Sequence, residues 1–322
     1  MKIDLIYLWC DGNDPIWRTK RQEHLKKVDT TSDLQSFCEG RLADNDDLLY
    51  SLRSVDMYAP WINHIYIVTD NQSPEWLDTT NSRVTIVDQN SLFERYQTPL
   101  YNTCAIELGV HKIEGLSEYY LFADDDMMFN RAVTPRFFFT RRGKAKFRCF
   151  FPIDYIEPLD TWNQTISSVN KVISSDFGLN MRGCLPLHQI DAYVKSSVEN
   201  SLERYKMWAD ATINNTFRSP LDMNRHIFSL YAVATGDGVM IKNNKYSIKH
   251  RILRFVARKL KYEVRCDSIY FELENPEIEQ CIKRYKPALV CFNDTERVQD
   301  ADRLRIKKLY AKLYPNKSQF EK

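Results

Sequence analysis

The sequence contains little glycine, with 9 among its 322 residues. It has neither a GxGxxG fingerprint nor a GxxxxGK[ST] loop, the two glycine-rich turns that cradle phosphates in many nucleotide-binding proteins. These absences exclude the usual phosphate-binding loops. If this chain binds a nucleotide, it must hold the phosphates with another device.

The eight cysteines form no CxxC pair and no cysteine–histidine pattern of the zinc-binding type. Four of them lie in apolar surroundings, where small buried thiols are common: Cys10, Cys104, Cys149 and Cys291. This usage is typical of a reduced, cytoplasmic protein.

Bulk charge and the lengths of the apolar runs exclude two further classes. The net charge is +2, too small to predict nucleic acid binding through bulk electrostatics. No apolar stretch approaches the roughly 20 residues that a transmembrane helix requires. The hydrophobic share of 43% is ordinary for a globular protein with a sizeable core.

Apolar runs alternate with amphipathic segments over the first half of the chain. The predicted strands are Ile3–Trp9, Ile65–Thr69, Val84–Val87 and Tyr119–Ala123, and the predicted helices are Asp44–Tyr58 and Thr103–Ile113. This alternation indicates an α/β fold with a mostly parallel sheet covered on both faces. Helices are predicted later over 189–210, 221–234 and Asp300–Tyr314.

Three consecutive aspartates, Asp124, Asp125 and Asp126, directly follow the predicted strand Tyr119–Ala123. Open α/β sheets bind ligands at the carboxyl ends of their strands. Adjacent negative charges repel one another, so a cation, nearby basic side chains or open water must compensate them. The triplet predicts a divalent metal or diphosphate site. The alternative is a solvated helix N-cap, because anions are favoured at helix N-termini.

Two other loops contain polar residues that suit ligand binding. Asp11, Gly12 and Asp14 follow the first predicted strand and either hold a sugar or nucleotide or form a plain turn. His188 follows a Cys-Leu-Pro-Leu stretch that should be a loop. A lone histidine is more often structural, but an imidazole titrates near neutral pH and can transfer protons.

Two polar clusters near the C-terminal half also suit phosphate or sugar binding. Arg218 is predicted to lie beside a helix N-terminus, where it would clamp a phosphate or pair with Asp222 at i,i+4. Asn293 and Asp294 end an apolar run, and they either face a ligand or end a strand and cap a helix.

The segment Lys242–Arg265 contains nine Lys or Arg residues and one acid, Glu263. Its apolar residues follow helical spacing. Such a basic amphipathic helix can lie on an anionic membrane. The alternative is a helix with a solvated face that packs on the rest of the protein.

Four blocks of this sequence, in the same order, resemble the conserved blocks of the Stealth family. They are Ile3–Trp17, Arg41–Phe129, Leu187-His188 with Phe217–Tyr231, and Val290–Asp294. The family includes bacterial capsular polysaccharide phosphotransferases and the catalytic part of the lysosomal-enzyme N-acetylglucosamine-1-phosphotransferase.

The resemblance implies an enzyme that moves a hexose-1-phosphate, often N-acetylhexosamine-1-phosphate, from a UDP-sugar to an acceptor hydroxyl and releases UMP. The acceptor would be an oligosaccharide or a lipid-linked glycan, in capsule or surface polysaccharide synthesis at the inner face of the membrane. One alternative is a metal-dependent glycosyltransferase that releases UDP. Another is a non-catalytic glycan-binding protein, against which the intact Arg218, Asp222, Asn293 and Asp294 argue.

Carrying the family's polar positions across to this chain implicates a set of site residues. They are Asp11, Gly12, Asp14, Arg53, Asn102, Glu107, Asp124, Asp125, Asp126, His188, Arg218, Asp222, Asn293 and Asp294.

The resemblance also implies roles for some of these residues. Asp125 and Asp126, alone or together with Asp124, would bind Mg²⁺ or Mn²⁺ that bridges phosphate oxygens, and Arg218 would bind the phosphates. His188 would act as the general base or acid, oriented or replaced by Asp294 or Asp11. Arg53 would contact phosphate or lock its helix by pairing with an acid.

The chain departs from the family pattern at three positions. Asp124 stands where the family more often has Asn, Leu49 where it has Arg, and Cys104 where capsular members often have His. These departures bear on the identity of the donor sugar more than on the class of reaction.

The resemblance and the pattern together predict a fold and three regions. The fold would be α/β, with a mostly parallel sheet of Rossmann-like or GT-A-like type, a helical insertion and a C-terminal helical part. The regions are a nucleotide-sugar-binding core over 1–150, a mostly helical insertion or acceptor region over 151–285, and a segment over 286–322 that returns to the core.

Overall fold

The computed structural model describes residues 1–26, 40, 42–93, 100–152, 155–158, 160–242 and 266–322. Its strands are β1 (Ile3–Leu8), β2 (Ile65–Thr69), β3 (Val84–Asp88), β4 (Tyr119–Asp124), β5 (Met127–Phe129), β6 (Ala145–Phe150), β7 (Leu185–Pro186), β8 (Asp191–Val194), β9 (Gly238–Lys242), β10 (Ser268–Glu272) and β11 (Leu289–Asn293). The predicted basic segment lies outside the described residues, apart from Lys242.

The helices follow the same chain order. They are α1 (Pro15–Leu25), α2 (Asp47–Tyr58), α3 (Thr103–Gly109), α4 (Pro135–Phe138), α5 (Thr161–Phe177), α6 (Lys195–Arg204), α7 (Lys206–Ile213), α8 (His226–Thr235), α9 (Ile278–Tyr285) and α10 (Asp300–Leu313). Within the described ranges, no helix is both long enough and apolar enough to cross a membrane.

The central sheet has the strand order β3-β2-β1-β4-β8. The first four strands are parallel, and β8 runs antiparallel to β4. β1 and β2 are almost fully buried, as expected for parallel strands covered on both faces. The strand order reverses between β1 and β4, and such switch points open a crevice at the carboxyl ends of the strands. The predicted α/β fold with a mostly parallel sheet is confirmed.

The prediction of a helix over 189–210 is wrong at its start. Asp191–Val194 forms β8, and only Lys195–Arg204 and Lys206–Ile213 are helical. Ala192 and Tyr193 are buried where β8 completes the edge of the sheet beside β4. This segment forms a strand because it pairs with β4, which is distant along the chain. The local spacing of apolar residues does not reveal such a pairing.

A second sheet, β10-β11-β5, brings the C-terminal part of the chain to the end of β4. β5 begins one residue after Asp126, and the Asp126 carbonyl accepts a hydrogen bond from the Phe292 amide at 3.0 Å. Asn293, the last residue of β11, is thereby placed close to the aspartate triplet. The proposed division into three regions stays a prediction.

A third sheet, β7-β6-β9, lies beyond β8. β6 runs parallel to β9 and antiparallel to β7. His188 lies two residues after β7, in the short connection that leads to β8. The third sheet therefore determines where this histidine sits.

Candidate active site

A cavity of about 270 Å³ opens where β1, β2 and β4 end. Six of the predicted site residues line it: Asp124, Asp125, Asp126, His188, Arg218 and Asn293. These residues come from three blocks of the sequence that lie far apart along the chain. The cavity therefore brings carboxylates, an arginine, an imidazole and an amide together at the switch point of the sheet.

Asp124 faces a partly buried arginine, Arg225, that the sequence analysis missed. Nη1 of Arg225 lies 2.7 Å from Oε1 of Glu107 and 3.6 Å from Oδ1 of Asp124, and Nε lies 3.6 Å from Oδ2 of Asp191. The guanidinium also lies over the ring of Phe122, 4.6 Å from its centroid. One cation thus compensates three carboxylates, including the aspartate that departs from the family pattern.

Burial is the largest single influence on the pKa values of Glu107, Asp191 and Arg225. It raises the pKa of Glu107, and it raises the pKa of Asp191 to about 7 although Arg225 favours the ionised form. Burial opposes the charge on Arg225, but the Glu107 and Asp124 carboxylates outweigh it and raise the pKa of the guanidinium. Arg225 therefore stays charged.

The other two aspartates of the triplet lie in a more acidic environment. Burial first, and then the carboxylates of Asp47 and Asp126, raise the pKa of Asp125 well above its ordinary value. Burial likewise raises the pKa of Asp47 to about 7, although the Tyr310 hydroxyl donates a hydrogen bond to it at 2.7 Å. A cation bound beside these groups would favour their ionised forms.

The carboxylates fit a divalent cation that shares its ligands with a substrate. Among the described residues, no group of three or more His, Cys, Asp and Glu side chains is arranged to hold a metal ion. Mg²⁺, however, is usually bound by one or two carboxylates together with phosphate oxygens and water. Asp125 and Asp126, which both line the cavity, supply hard oxygen donors of that kind.

Arg218 is held in the cavity wall by a neighbouring helix and by its own loop. Its Nη2 donates a hydrogen bond to the Thr103 hydroxyl. The Asn102 amide donates to Asp222 at 2.7 Å, and Asp222 also accepts from the Ser219 amide at 2.8 Å. Both Arg218 and Asp222 precede α8, so they do not form the alternative helical i,i+4 pair. Asn102 and Asp222 fix the loop that carries Arg218.

His188 is half-buried and lies between two aromatic rings. Its ring centroid is 5.1 Å from that of Trp162 and 5.2 Å from that of Tyr270. These rings hold the imidazole at the cavity wall. The placement is compatible with proton transfer, and the catalytic role stays a prediction.

Asn293 and Asp294 face different surroundings although they are adjacent. Asn293 is buried and lines the cavity. Asp294 accepts two hydrogen bonds from Arg303, at 2.8 Å from Nε and 3.0 Å from Nη2. The structure therefore places Asp294 as an anchor for α10, outside the cavity lining.

The first loop positions α1. Asp14 caps this helix by accepting from the amides of Ile16 at 2.8 Å and Trp17 at 3.2 Å, and Asp11 accepts from the amide of Asn13 at 2.8 Å. A side chain at Gly12 would collide with the backbone of Leu42. The loop is thus a tight turn with a helix cap, and a direct contact with substrate stays a prediction.

Arg53 pairs with the C-terminal end of the chain. Its Nε and Nη2 donate to the two carboxylate oxygens of Glu321 at 2.9 and 2.8 Å, and Nη1 donates to the Tyr314 carbonyl at 3.3 Å. Of the two roles that the sequence left open, pairing with an acid is the one present in the structure.

Comparison with known proteins identifies the family. Residues 41–147 match the family model described as Stealth protein CR2, conserved region 2. Over this region the chain matches the Stealth family. This family model covers the predicted block Arg41–Phe129, which ends just after the aspartate triplet.

Relatives that align with nearly the whole of this chain agree with this match. The exopolysaccharide phosphotransferase SCO6023 of Streptomyces coelicolor is 30% identical over 99% of this chain and 52% of its own length. The receptor polysaccharide phosphotransferase WefC of Streptococcus oralis is 26% identical over 99% of both chains. The chain thus spans about half of SCO6023 and nearly all of WefC.

Solved structures are more distant. The galactosyltransferase LgtC aligns with 97% of this chain and 95% of its own at 8% identity and a TM-score of 0.43.

Proposed function

We propose that this Stealth protein is a UDP-sugar-dependent phosphotransferase. It moves a hexose-1-phosphate, N-acetylhexosamine-1-phosphate foremost, to a hydroxyl group of a glycan acceptor and releases UMP, in capsule or surface polysaccharide synthesis. The observation that carries the proposal is the cavity lined by the aspartate triplet, Arg218, His188 and Asn293. The names of the relatives, all polysaccharide phosphotransferases, support the same class of reaction.

The reaction exchanges one bond to phosphorus for another. The acceptor oxygen attacks the β-phosphorus of the UDP-sugar, and the anhydride bond to UMP breaks. The product is a phosphodiester between sugar and acceptor. Phosphoryl transfer depends mainly on positioning and on neutralising the charge of the phosphate oxygens, and the described cavity supplies groups for both tasks.

The arginine acts on the leaving group in this proposal. The Arg218 guanidinium presents N–H donors that suit two phosphate oxygens at once. Its contact with the Thr103 hydroxyl keeps it oriented before substrate binds. Arg218 thereby stabilises the negative charge that accumulates on UMP as the anhydride bond breaks.

The proton of the acceptor hydroxyl passes to the imidazole in this proposal. His188 removes the proton from the attacking hydroxyl, because an imidazole can accept a proton at neutral pH. Trp162 and Tyr270 on its two sides limit its rotation. The Asn293 amide lies on the same cavity wall and can hydrogen-bond a sugar or phosphate oxygen.

Two carboxylates would hold the cofactor. Asp125 and Asp126 would bind Mg²⁺ or Mn²⁺, which when bound neutralises charge on the phosphate oxygens. The remaining aspartate, Asp124, is the first of the triplet and lies 3.6 Å from Arg225. It orients the end of β4 from which the other two project.

The nucleotide that is released tests this proposal. The protein is incubated with UDP-N-acetylglucosamine, Mg²⁺ and a capsule-like oligosaccharide, and the nucleotide is identified by chromatography. UMP supports phosphotransfer. UDP would mean glycosyl transfer, the alternative reaction, and would overturn the proposal.

The cellular setting that we propose is the inner face of the membrane, with an oligosaccharide or lipid-linked glycan as acceptor. The basic segment Lys242–Arg265 would make a peripheral contact with anionic lipid. Charge reversal at Lys249, Arg254 and Arg258 should abolish binding to vesicles that contain anionic lipid. Unchanged binding would reject this contact.

A further inference from the structure

The cavity has an aromatic side that the proposed chemistry does not use. The rings of Tyr101 and Phe217 stack with centroids 5.4 Å apart and an interplanar angle of 22°. Trp17 meets Tyr101 edge-on, with centroids 5.5 Å apart. All three rings line the cavity. They form what we call the aromatic wall: Trp17, Tyr101 and Phe217.

A buried arginine accompanies these rings. The guanidinium carbon of Arg21 lies 5.9 Å from the Trp17 ring centroid and 6.0 Å from that of Phe217. The residue is only 8% exposed and lines the cavity. Arg21 therefore adds a positive charge to the aromatic side of the cavity, where a cation can contact an electron-rich or anionic ligand.

The order of the strands separates Asp70 from the aspartate triplet. Asp70 follows β2 and lines the cavity, as do Leu8 to Cys10 at the end of β1 and the triplet at the end of β4. Since β1 lies between β2 and β4, Asp70 and the triplet are two strand spacings apart, roughly 10 Å. Burial first, then Asp70 and Asp125, raise the pKa of Cys10, which agrees with Cys10 lying between the two carboxylates.

This separation matches the two ends of an extended nucleotide-sugar. In doubly wound sheets a carboxylate commonly hydrogen-bonds the ribose of a nucleotide that crosses the switch point. Asp70 has that position here, on the side of the sheet away from the triplet. Planar bases stack readily on aromatic side chains, and arginine adds a cation–π contribution.

We infer that the aromatic wall and Arg21 form the nucleobase subsite of the cavity, with the ribose directed toward Asp70. This inference rests on the proposed function, because it takes the donor to be a nucleoside diphosphate sugar. It adds which side of the cavity takes the base and which residues contact it. The diphosphate then crosses the end of β1 and brings the sugar phosphate to the triplet.

Two ligands that differ only by the base test the inference. UMP and ribose 5-phosphate are titrated by calorimetry into the full chain and into Phe217→Leu and Trp17→Leu. The unmodified protein should bind UMP roughly tenfold or more tightly than ribose 5-phosphate. Each substitution should weaken the binding of UMP but not that of ribose 5-phosphate. The ratio of the two affinities should therefore fall toward one. Because each variant is compared with itself, a partial loss of folded protein does not imitate the result.

The matched control is Phe177→Leu. Phe177 also packs beneath an arginine, with Arg204 5.0 Å from its ring centroid, but it does not line the cavity. This variant should keep the full preference for UMP. An equal affinity of the unmodified protein for both ligands, or an undiminished preference in Phe217→Leu and Trp17→Leu, would overturn the inference.

Failure of the inference can be told apart from failure of the proposed function. If the enzyme releases UDP instead of UMP, the nucleotide still carries its base, and the preference for UMP over ribose 5-phosphate persists. If the aromatic wall does not bind the base, the preference is insensitive to the two substitutions whichever nucleotide is released.

Discussion

Nη1 of Arg225 lies 3.6 Å from Oδ1 of Asp124, so the first aspartate of the triplet has a cationic partner, which it shares with Glu107 and Asp191. The extra negative charge, at the position where the family more often has Asn, is thereby compensated within the protein. Asp125 and Asp126 remain as the pair suited to a divalent cation. The triplet is thus divided between an ion-pair cluster around Arg225 and the two carboxylates that we propose as the ligands of a metal ion.

The Arg225 cluster predicts a large loss of stability when the cation is removed. Arg225→Met should lower the free energy of unfolding by about 3–5 kcal/mol, because it leaves the buried Glu107 carboxylate and the partly buried Asp191 and Asp124 carboxylates without their partner. The measurement is urea unfolding at pH 7. The matched control, Arg297→Met, removes an exposed arginine that lies 2.8 Å from Glu272 and should cost about 1 kcal/mol or less. Similar losses in the two variants would contradict this account of the cluster.

Asp191 predicts a specific dependence of stability on pH. Burial raises its pKa from the ordinary 3.8 to about 7, so between these values the unfolded carboxylate is ionised while the folded one keeps its proton. The folded state then binds more protons, and the free energy of unfolding falls as pH rises through this window. In the unmodified protein, Asp191 should lower the free energy of unfolding by an amount on the order of 2–4 kcal/mol between pH 4 and pH 7. Asp191→Asn should not show this decrease.

The comparison for Asp191 is Asp210→Asn, which changes an exposed aspartate on α7. Its stability should follow that of the unmodified protein at every pH. Urea unfolding at several pH values between 4 and 8 gives both curves. If Asp191→Asn also runs parallel to the unmodified protein, the raised pKa of Asp191 is refuted.

Proton transfer by His188 predicts a loss of rate without a loss of fold. His188→Ala should reduce the turnover number at least roughly 100-fold while donor binding changes little. His111→Ala is the matched control, since His111 accompanies a short helical turn at Val110–Lys112 and does not line the cavity. Its turnover should be close to normal. A near-normal rate in His188→Ala would return His188 to a structural role between its two aromatic neighbours.

The two arginines implicated by the family resemblance should separate by their effects. Arg218→Ala should raise the KM for the donor or lower turnover, by roughly 100-fold in kcat/KM, with little change in unfolding. Arg53→Ala should lower the free energy of unfolding by about 1–3 kcal/mol, since it breaks the two hydrogen bonds to Glu321. The rate per folded Arg53→Ala molecule should stay normal. A specific loss of donor affinity in Arg53→Ala would restore the prediction that Arg53 contacts phosphate.

The strands that carry the site could be predicted from the sequence. The hydrogen-bond and ion-pair partners of the side chains could be predicted less well. Tyr119–Ala123 reads as a buried strand because it is apolar, and its ending in Asp124 places the triplet at the edge of the sheet. Arg225 could not be found in this way. Its burial depends on Glu107 from α3, Asp124 from β4 and Asp191 from β8, which only the tertiary fold brings together.

The first loop shows a second limit of local patterns. Asp11 and Asp14 were predicted either to hold a sugar or nucleotide or to form a plain turn. In the structure they close a turn and cap α1, and a contact with substrate stays a prediction. The cavity contacts come one and two helical turns later, from Trp17 and Arg21. A helix of mixed polarity such as Pro15–Leu25 gives no sign of which residues will face a ligand, because that depends on where the helix packs.

The most direct test of the central claim follows the phosphorus atom. The protein is incubated with Mg²⁺, a capsule-like oligosaccharide and UDP-N-acetylglucosamine labelled with ³²P at the β-phosphate, and the acceptor is then isolated. Phosphotransfer predicts that the label moves to the oligosaccharide, and that Asp126→Asn reduces this transfer by at least roughly 100-fold. Unlabelled acceptor that has gained the sugar, with the label retained in UDP, would contradict the account.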